Sequence, residues 1–284
     1  MNAPLHAVDL IIIVLYLAAM LGIGLHFTRR NKSTEEYYYG GRRFPAWAVG
    51  LSMLSNSISS ITFLGLPAAA FVLDWRQSTP YLVLPLVIAM AALFFVPIFR
   101  HGKITSAYQY LESRFGRGAR AYGSCCFLLS ESIRLSTILY LLSLPISLMG
   151  GWNQFAVMGV IMAVVAVYTV AGGINAVIWT DVIQAIILFG GGLFSVFFLL
   201  WKIPGGLDSV IKVGMEYHKF SFGPMTFDFA QRSFVALLIM GLFSWFYSYT
   251  ADQSVIQRYL AAKSDRDAKR ATILCAVASM PTWK

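Results

Sequence analysis

The chain alternates long apolar runs with short stretches that carry the charge. The pattern predicts eight membrane spans, at about 10–27, 45–72, 81–99, 121–149, 152–170, 177–201, 233–251 and 271–284. Most of these runs are about as long as the ~20 residues a helix needs to cross a bilayer core. The last is shorter, with thirteen residues from Ala271 up to Lys284. The second run is the exception in kind. It has no charge from Phe44 to Leu73, yet Ser52, Ser55, Asn56, Ser57, Ser59, Ser60 and Thr62 crowd its middle, and Gly65 and Pro67 follow. Unpaired polar groups in hydrocarbon cost several kcal/mol each. A polar, breakable middle therefore points to a helix opened at bilayer depth to hold something.

Composition agrees with the pattern. The chain has 284 residues, of which 58% are hydrophobic and 12% charged, with mean hydropathy +0.67. That is the balance of an all-α polytopic membrane protein. The formal net charge of +9 does not mark a nucleic-acid binder, because the charges lie in loops between apolar spans. Cys125, Cys126 and Cys275 lie in apolar runs and fit neither a disulfide framework nor a metal spacing. The four histidines are scattered outside the span centres, and no nucleophile–base pair lies at depth, so an enzyme is not expected.

Loop charge sets the orientation. With the N-terminus outside, the cytoplasmic loops hold 15 Lys and Arg against 5 on the other side. No Lys or Arg precedes the first run, while Arg29, Arg30 and Lys32 follow it, which is the reverse of a signal peptide. The expectation is an uncleaved, multi-pass protein of the cell (inner) membrane, with the lipid bilayer as its surroundings.

Three places carry candidate chemistry. Hydroxyls in the serine-rich middle could bond back to i−4 carbonyls, but seven polar side chains in eleven residues exceed what a closed helix needs. Unwinding there frees carbonyl oxygens, the ligands that hard cations such as sodium prefer. Arg134 sits mid-span with Glu131 one turn before it. It either forms a structural pair with Glu131 or grips a substrate carboxylate. Asp181 is followed by 20 uncharged residues. It is either an interfacial carboxylate in a first turn or a cation-coupling group. Gly172–Gly173 reads as a turn, the 202–232 segment as a connection packed on the outer face, and 251–270 as a solvated cytoplasmic helix.

Four strings in this order resemble the sodium:solute symporter family: YYYGGRRFPAWAVGLSMLSNSISSITFLG, KITSAYQYLESRF, YTVAGGINAVIWTDVIQ and DQSVIQRYLAAKSDRDAKR. The resemblance implies sodium-coupled secondary active symport of a small organic solute. It also implies a LeuT-type inverted-repeat fold, of which this chain would be the N-terminal portion: an extra first helix, a five-helix repeat and the start of a second. SSITFLGLPAAAFVLDW and ITSAYQYLESRF are closest to the sialic-acid-transporting branch. By motif match, the carbonyls of Ser55 and Ile58 would hold sodium, and Asp181 would contribute to a second sodium site. Ser57, Ser59 and Thr62 would contact substrate, and Arg134 would grip its carboxylate. Ser57 and Thr62 stand where sugar-type members carry amides, so an organic anion fits better than a neutral sugar. The branch's glutamine near the start of the next core helix is not matched: Pro80 and Tyr81 occupy that place, and Gln77 comes a turn early. The serines expected to close the sodium site from the eighth core helix have no counterpart in the 284 residues. That leaves open a missing C-terminal half, an inactive or split fragment, or a membrane sensor module of the same fold.

Overall fold

The structure, a computed structural model, describes residues 6–29, 31–101 and 106–279. These residues form helices and connections, with one isolated bridge between Phe44 and Ala262. In chain order the helices are α1 (Ala7–Thr28), α2 (Thr34–Tyr39), α3 (Ala46–Ser57), α4 (Leu66–Val72), α5 (Leu84–Met90), α6 (Val96–His101) and α7 (Ala107–Phe115). They continue with α8 (Arg117–Gly150), α9 (Gln154–Lys202), α10 (Gly206–Glu216), α11 (Phe234–Thr250), α12 (Gln253–Leu260) and α13 (Asp265–Ser279). Four continuous helical stretches are long and apolar enough to cross a membrane, and up to six if each of two bent pairs counts as one span.

The second predicted span is broken. α3 stops because Ile58 takes an extended conformation (φ −98°, ψ 126°). The chain resumes through a π-helical turn, Ile61–Gly65, and α4, with a bend of 57° between the two halves. The π turn has a cause in Pro67, whose missing N–H and bulky ring disturb the ladder four residues back. The same device recurs in the third span, where the π turn Ala91–Phe95 precedes Pro97. That span starts six residues before the expected 81, as a 3-10 stretch from Trp75 to Val83 capped by Asp74.

The glycine pair predicted as a turn divides α9. Gly173 has φ 58° and ψ −161°, and a Cβ there would lie 2.8 Å from the Tyr37 carbonyl oxygen. Only glycine takes that backbone without strain. The two halves correspond to the spans expected at 152–170 and 177–201.

The buried core surrounds α3. Val49, Met53 and Leu54 pack with Leu84, Val87 and Ile88 of α5, Ile178 of α9, Ile256, Tyr259 and Leu260 of α12, and Ala271 and Cys275 of α13. Gly50 allows α3 to cross α13 closely, since a Cβ there would fall 2.9 Å from the Ala271 carbonyl oxygen. Apolar side chains on α8 and the second half of α9, such as Leu129, Ile133, Phe194 and Phe197, face outward. Outward apolar faces on long helices suit a lipid surround.

Three expectations change. The 251–270 stretch is not a solvated helix. Val255, Ile256, Arg258, Tyr259 and Leu260 of α12 are all buried. The 202–232 segment contains a helix, α10, and its chain beyond packs Phe220 and Phe222 against Trp75. The final predicted span begins earlier, inside α13, and its residues 280–284 lie outside the described ones.

Candidate functional site

The break places polar groups on both sides of one cavity. The N–H of Ile58 donates to the carbonyls of Leu54 and Ser55, both at 3.2 Å. The Ser59 N–H donates to Thr62 Oγ1 (3.3 Å), and the Ile61 N–H donates to Ser59 Oγ (3.2 Å). Ser59 and Thr62 therefore cap the restart of the helix as well as lining the cavity. Ser57 Oγ bonds back to the Met53 carbonyl (3.1 Å) and lies 3.4 Å from the Tyr249 hydroxyl. Ser60 Oγ donates to the Ile138 carbonyl (3.0 Å), pinning the break against α8 one turn beyond Arg134.

A cavity of about 190 Å³ opens beside the break, lined by Asn56, Ser57, Ser59, Ile61, Thr62, Tyr81, Arg134, Ile138, Trp245 and Ser248. All four residues read as substrate contacts, Ser57, Ser59, Thr62 and Arg134, lie on this one wall system. Arg134 is held by Glu131: Nε donates to Glu131 Oε2 at 3.0 Å and Nη2 to the same oxygen at 2.6 Å. The structural-pair alternative is thus realised, while the guanidinium also lines the cavity. Gln77 is not among the lining residues, and Tyr81 stands there with Trp245, ring centroids 5.1 Å apart. Trp245 Nε1 donates to the Pro80 carbonyl (3.1 Å), which fixes that aromatic side.

Ser55 and Ile58 lie at the C-terminal end of α3, where the helix dipole is negative and the Ser55 carbonyl accepts from the Ile58 N–H rather than from a continuing helix. Asp181 is brought against α3 at Ser52, nearly two turns before the break at Ile58. Its Oδ2 accepts from Ser52 Oγ (2.5 Å) and from Arg258 Nη2 (2.9 Å) and Nε (3.2 Å). Arg258 Nε also reaches Ser52 Oγ at 2.9 Å, and Nη1 donates to the Ser254 carbonyl at 2.7 Å. The result is a buried ionic cluster joining α3, α9 and α12.

Sequence reasoning missed Arg258, Trp245, Ser248 and Tyr249, whereas Tyr81 stands at the place where the branch's glutamine was sought. For the last three missed a signal existed: positions 245, 248 and 249 recur at i, i+3 and i+4 and put polar-tipped side chains on one face of an apolar run. A second cavity, about 260 Å³, lies away from the break between Phe27, Glu36, Arg43, Phe44, Asn175 and Trp179.

These features define a polytopic helical membrane protein with a polar, arginine-bearing cavity at a broken helix. The profile of the sodium:solute symporter family matches residues 37–283, and the chain belongs to that family, whose members are transporters rather than enzymes. The sodium/sialic acid symporter SiaT of Proteus mirabilis (strain HI4320) is 37% identical over 265 residues, 91% of this chain and 52% of that protein. The sodium/sialic acid symporter NanT of Aliivibrio fischeri (strain ATCC 700601 / ES114) is 32% identical, over 94% of this chain and 54% of that protein. The chain thus spans about half the length of the curated relatives it matches. A solved Na⁺-coupled sialic acid symporter, in a substrate-bound outward-open state, superposes with TM-score 0.89 at 35% identity. That match covers 94% of this chain and 56% of the solved one, and it is of the LeuT-type architecture expected from the motifs.

Proposed function

We propose that the protein carries out sodium-coupled symport of a small organic anion, with sialic acid as the leading substrate. The observation that carries this reading is the convergence of Ser57, Ser59, Thr62 and Arg134 on one cavity beside the break at Ile58. Arg134 meets the carboxylate, and the N-terminal end of the second half-helix adds its positive dipole. Ser57, Ser59 and Thr62 offer hydroxyls to the rest of the solute. The carbonyls of Ser55 and Ile58 hold sodium at the negative end of α3. Asp181, through Ser52 on the same helix, takes part in coupling to a second sodium. The relatives named for sialic acid support the substrate class.

In this reading the chain is one transmembrane unit, comprising an extra first helix, a five-helix repeat and the opening of a second. It sits in the cell (inner) membrane with its N-terminus outside, so that the basic loops face the cytoplasm. Sodium favours the state open to the outside, substrate follows, and the loaded carrier turns inward. Coupling requires that the ligands differ in affinity for the two states.

The test is competition binding of labelled sialic acid against pyruvate, proline and glucose, in sodium, with the full-length protein. Excess sialic acid should compete best and glucose not at all. Arg134→Ala should weaken sialic acid binding about 100-fold, the scale of a lost charge-assisted contact. Undiminished binding by a stably folded Arg134→Ala protein would sink the assignment.

A further inference from the structure

The Glu131–Arg134 pair has a consequence for charge at the cavity. Both Arg134 donors in the pair, Nε and Nη2, go to a single oxygen of Glu131. The Nη1 amino group takes no part in it and remains available on a side chain that is 36% exposed in the cavity wall. Glu131 is more covered, at 19%, and is not among the lining residues. It lies behind the arginine, near the middle of the 34-residue α8.

With the cavity empty, the pair is neutral. A substrate carboxylate arriving at Nη1 makes one cation serve two carboxylates. A net negative cluster in a partly covered cavity wall is unfavourable. The cation site we assign at Ile58 lies between Ser57 and Ser59, which line the same cavity, so a sodium ion there offsets the excess charge.

We propose that Glu131 is the positioning residue that makes anion binding conditional on sodium. It cancels the charge of Arg134 in the empty cavity, so the anion gains a favourable site only after the cation has entered. By linkage, the anion raises sodium affinity by the same factor. The inference rests on the proposal that Arg134 receives a substrate carboxylate.

The test is the dissociation constant of sialic acid for the full-length protein, with sodium and with sodium replaced by N-methylglucamine. Wild type should bind at least about 100-fold more weakly without sodium. Glu131→Gln keeps an acceptor for Arg134 and removes the charge. It should bind sialic acid more tightly than wild type in sodium-free medium and shrink the sodium effect by about tenfold or more. Glu131→Asp, which retains the charge, should restore the wild-type dependence. A merely structural role for Glu131 would weaken binding in both media and would leave their ratio unchanged. That result, or a wild-type ratio in Glu131→Gln, overturns the proposal. Glu131→Ala gives the same reading if the amide variant misfolds. If Arg134→Ala binds sialic acid as wild type does, the underlying carboxylate assignment falls, whatever Glu131 does.

Discussion

Arg258 shows how one side chain can hold an interior together. Its guanidinium is 9% exposed and Asp181 13%, with Ser52 bridging them. Removing one partner of such a pair leaves the other charged and buried, at a cost of about 3–5 kcal/mol. Arg258→Met should therefore lower the thermal unfolding temperature in detergent markedly. Pairing it with Asp181→Asn should recover much of the loss. If Arg258→Met melts with wild type, the pair carries no structural weight. Asp181 was legible in the sequence as a carboxylate with 20 uncharged residues after it. Its partner was not, because QSVIQRYLAAKSDRDAKR carries enough charge to read as a wetted face. The apolar stripe at 255, 256, 259 and 260 was present in the same string, and a buried stripe next to an arginine is what the fold uses.

At the scale of the element, the serine crowd foretold a break but not its position. The polar middle was expected to open, and within it the residue that turns extended is Ile58. Proline produces a π turn rather than a stop because neighbouring helices hold the backbone on course. The hydroxyls divide their work: Ser57 bonds back to its own helix, Ser59 and Thr62 cap the restart, and Ser60 reaches α8. No periodicity distinguishes these partners, which depend on where α8 lies. The turn at Gly173 was legible because paired glycines have few other uses between two spans. Gly173→Ala would place a Cβ against the Tyr37 carbonyl oxygen in a left-handed backbone. It should destabilise the protein by at least about 1–2 kcal/mol. Thermal unfolding of the purified variant checks this, and an unchanged midpoint would show that the turn adopts another geometry.

For the whole molecule, a clasp of backbone and side-chain bonds closes the end where α3 begins. There Phe44 pairs with Ala262, the Lys263 N–H donates to the Phe44 carbonyl at 3.0 Å, and Arg100 Nη1 reaches the carbonyls of Tyr259 and Ala262 at 3.0 Å each. Asp265 completes this clasp through Arg100 Nε. The proposed orientation follows the basic loops, and it can be checked in cells after Cys125, Cys126 and Cys275 are replaced by serine or alanine. A cysteine at Ser209, on α10, should react with a membrane-impermeant maleimide from outside. One at Ser113, at the end of α7, should react only after permeabilisation. The reverse pattern would invert the topology.

The central claim, that sodium and a carboxylate meet at the broken helix, is tested most directly by uptake of labelled sialic acid into proteoliposomes. These would hold the full-length protein and be subjected to an inward sodium gradient. Accumulation above the external concentration is expected, collapsing when sodium is replaced by choline and absent in Arg134→Ala. Accumulation that is the same in choline, or that persists in Arg134→Ala, would contradict it.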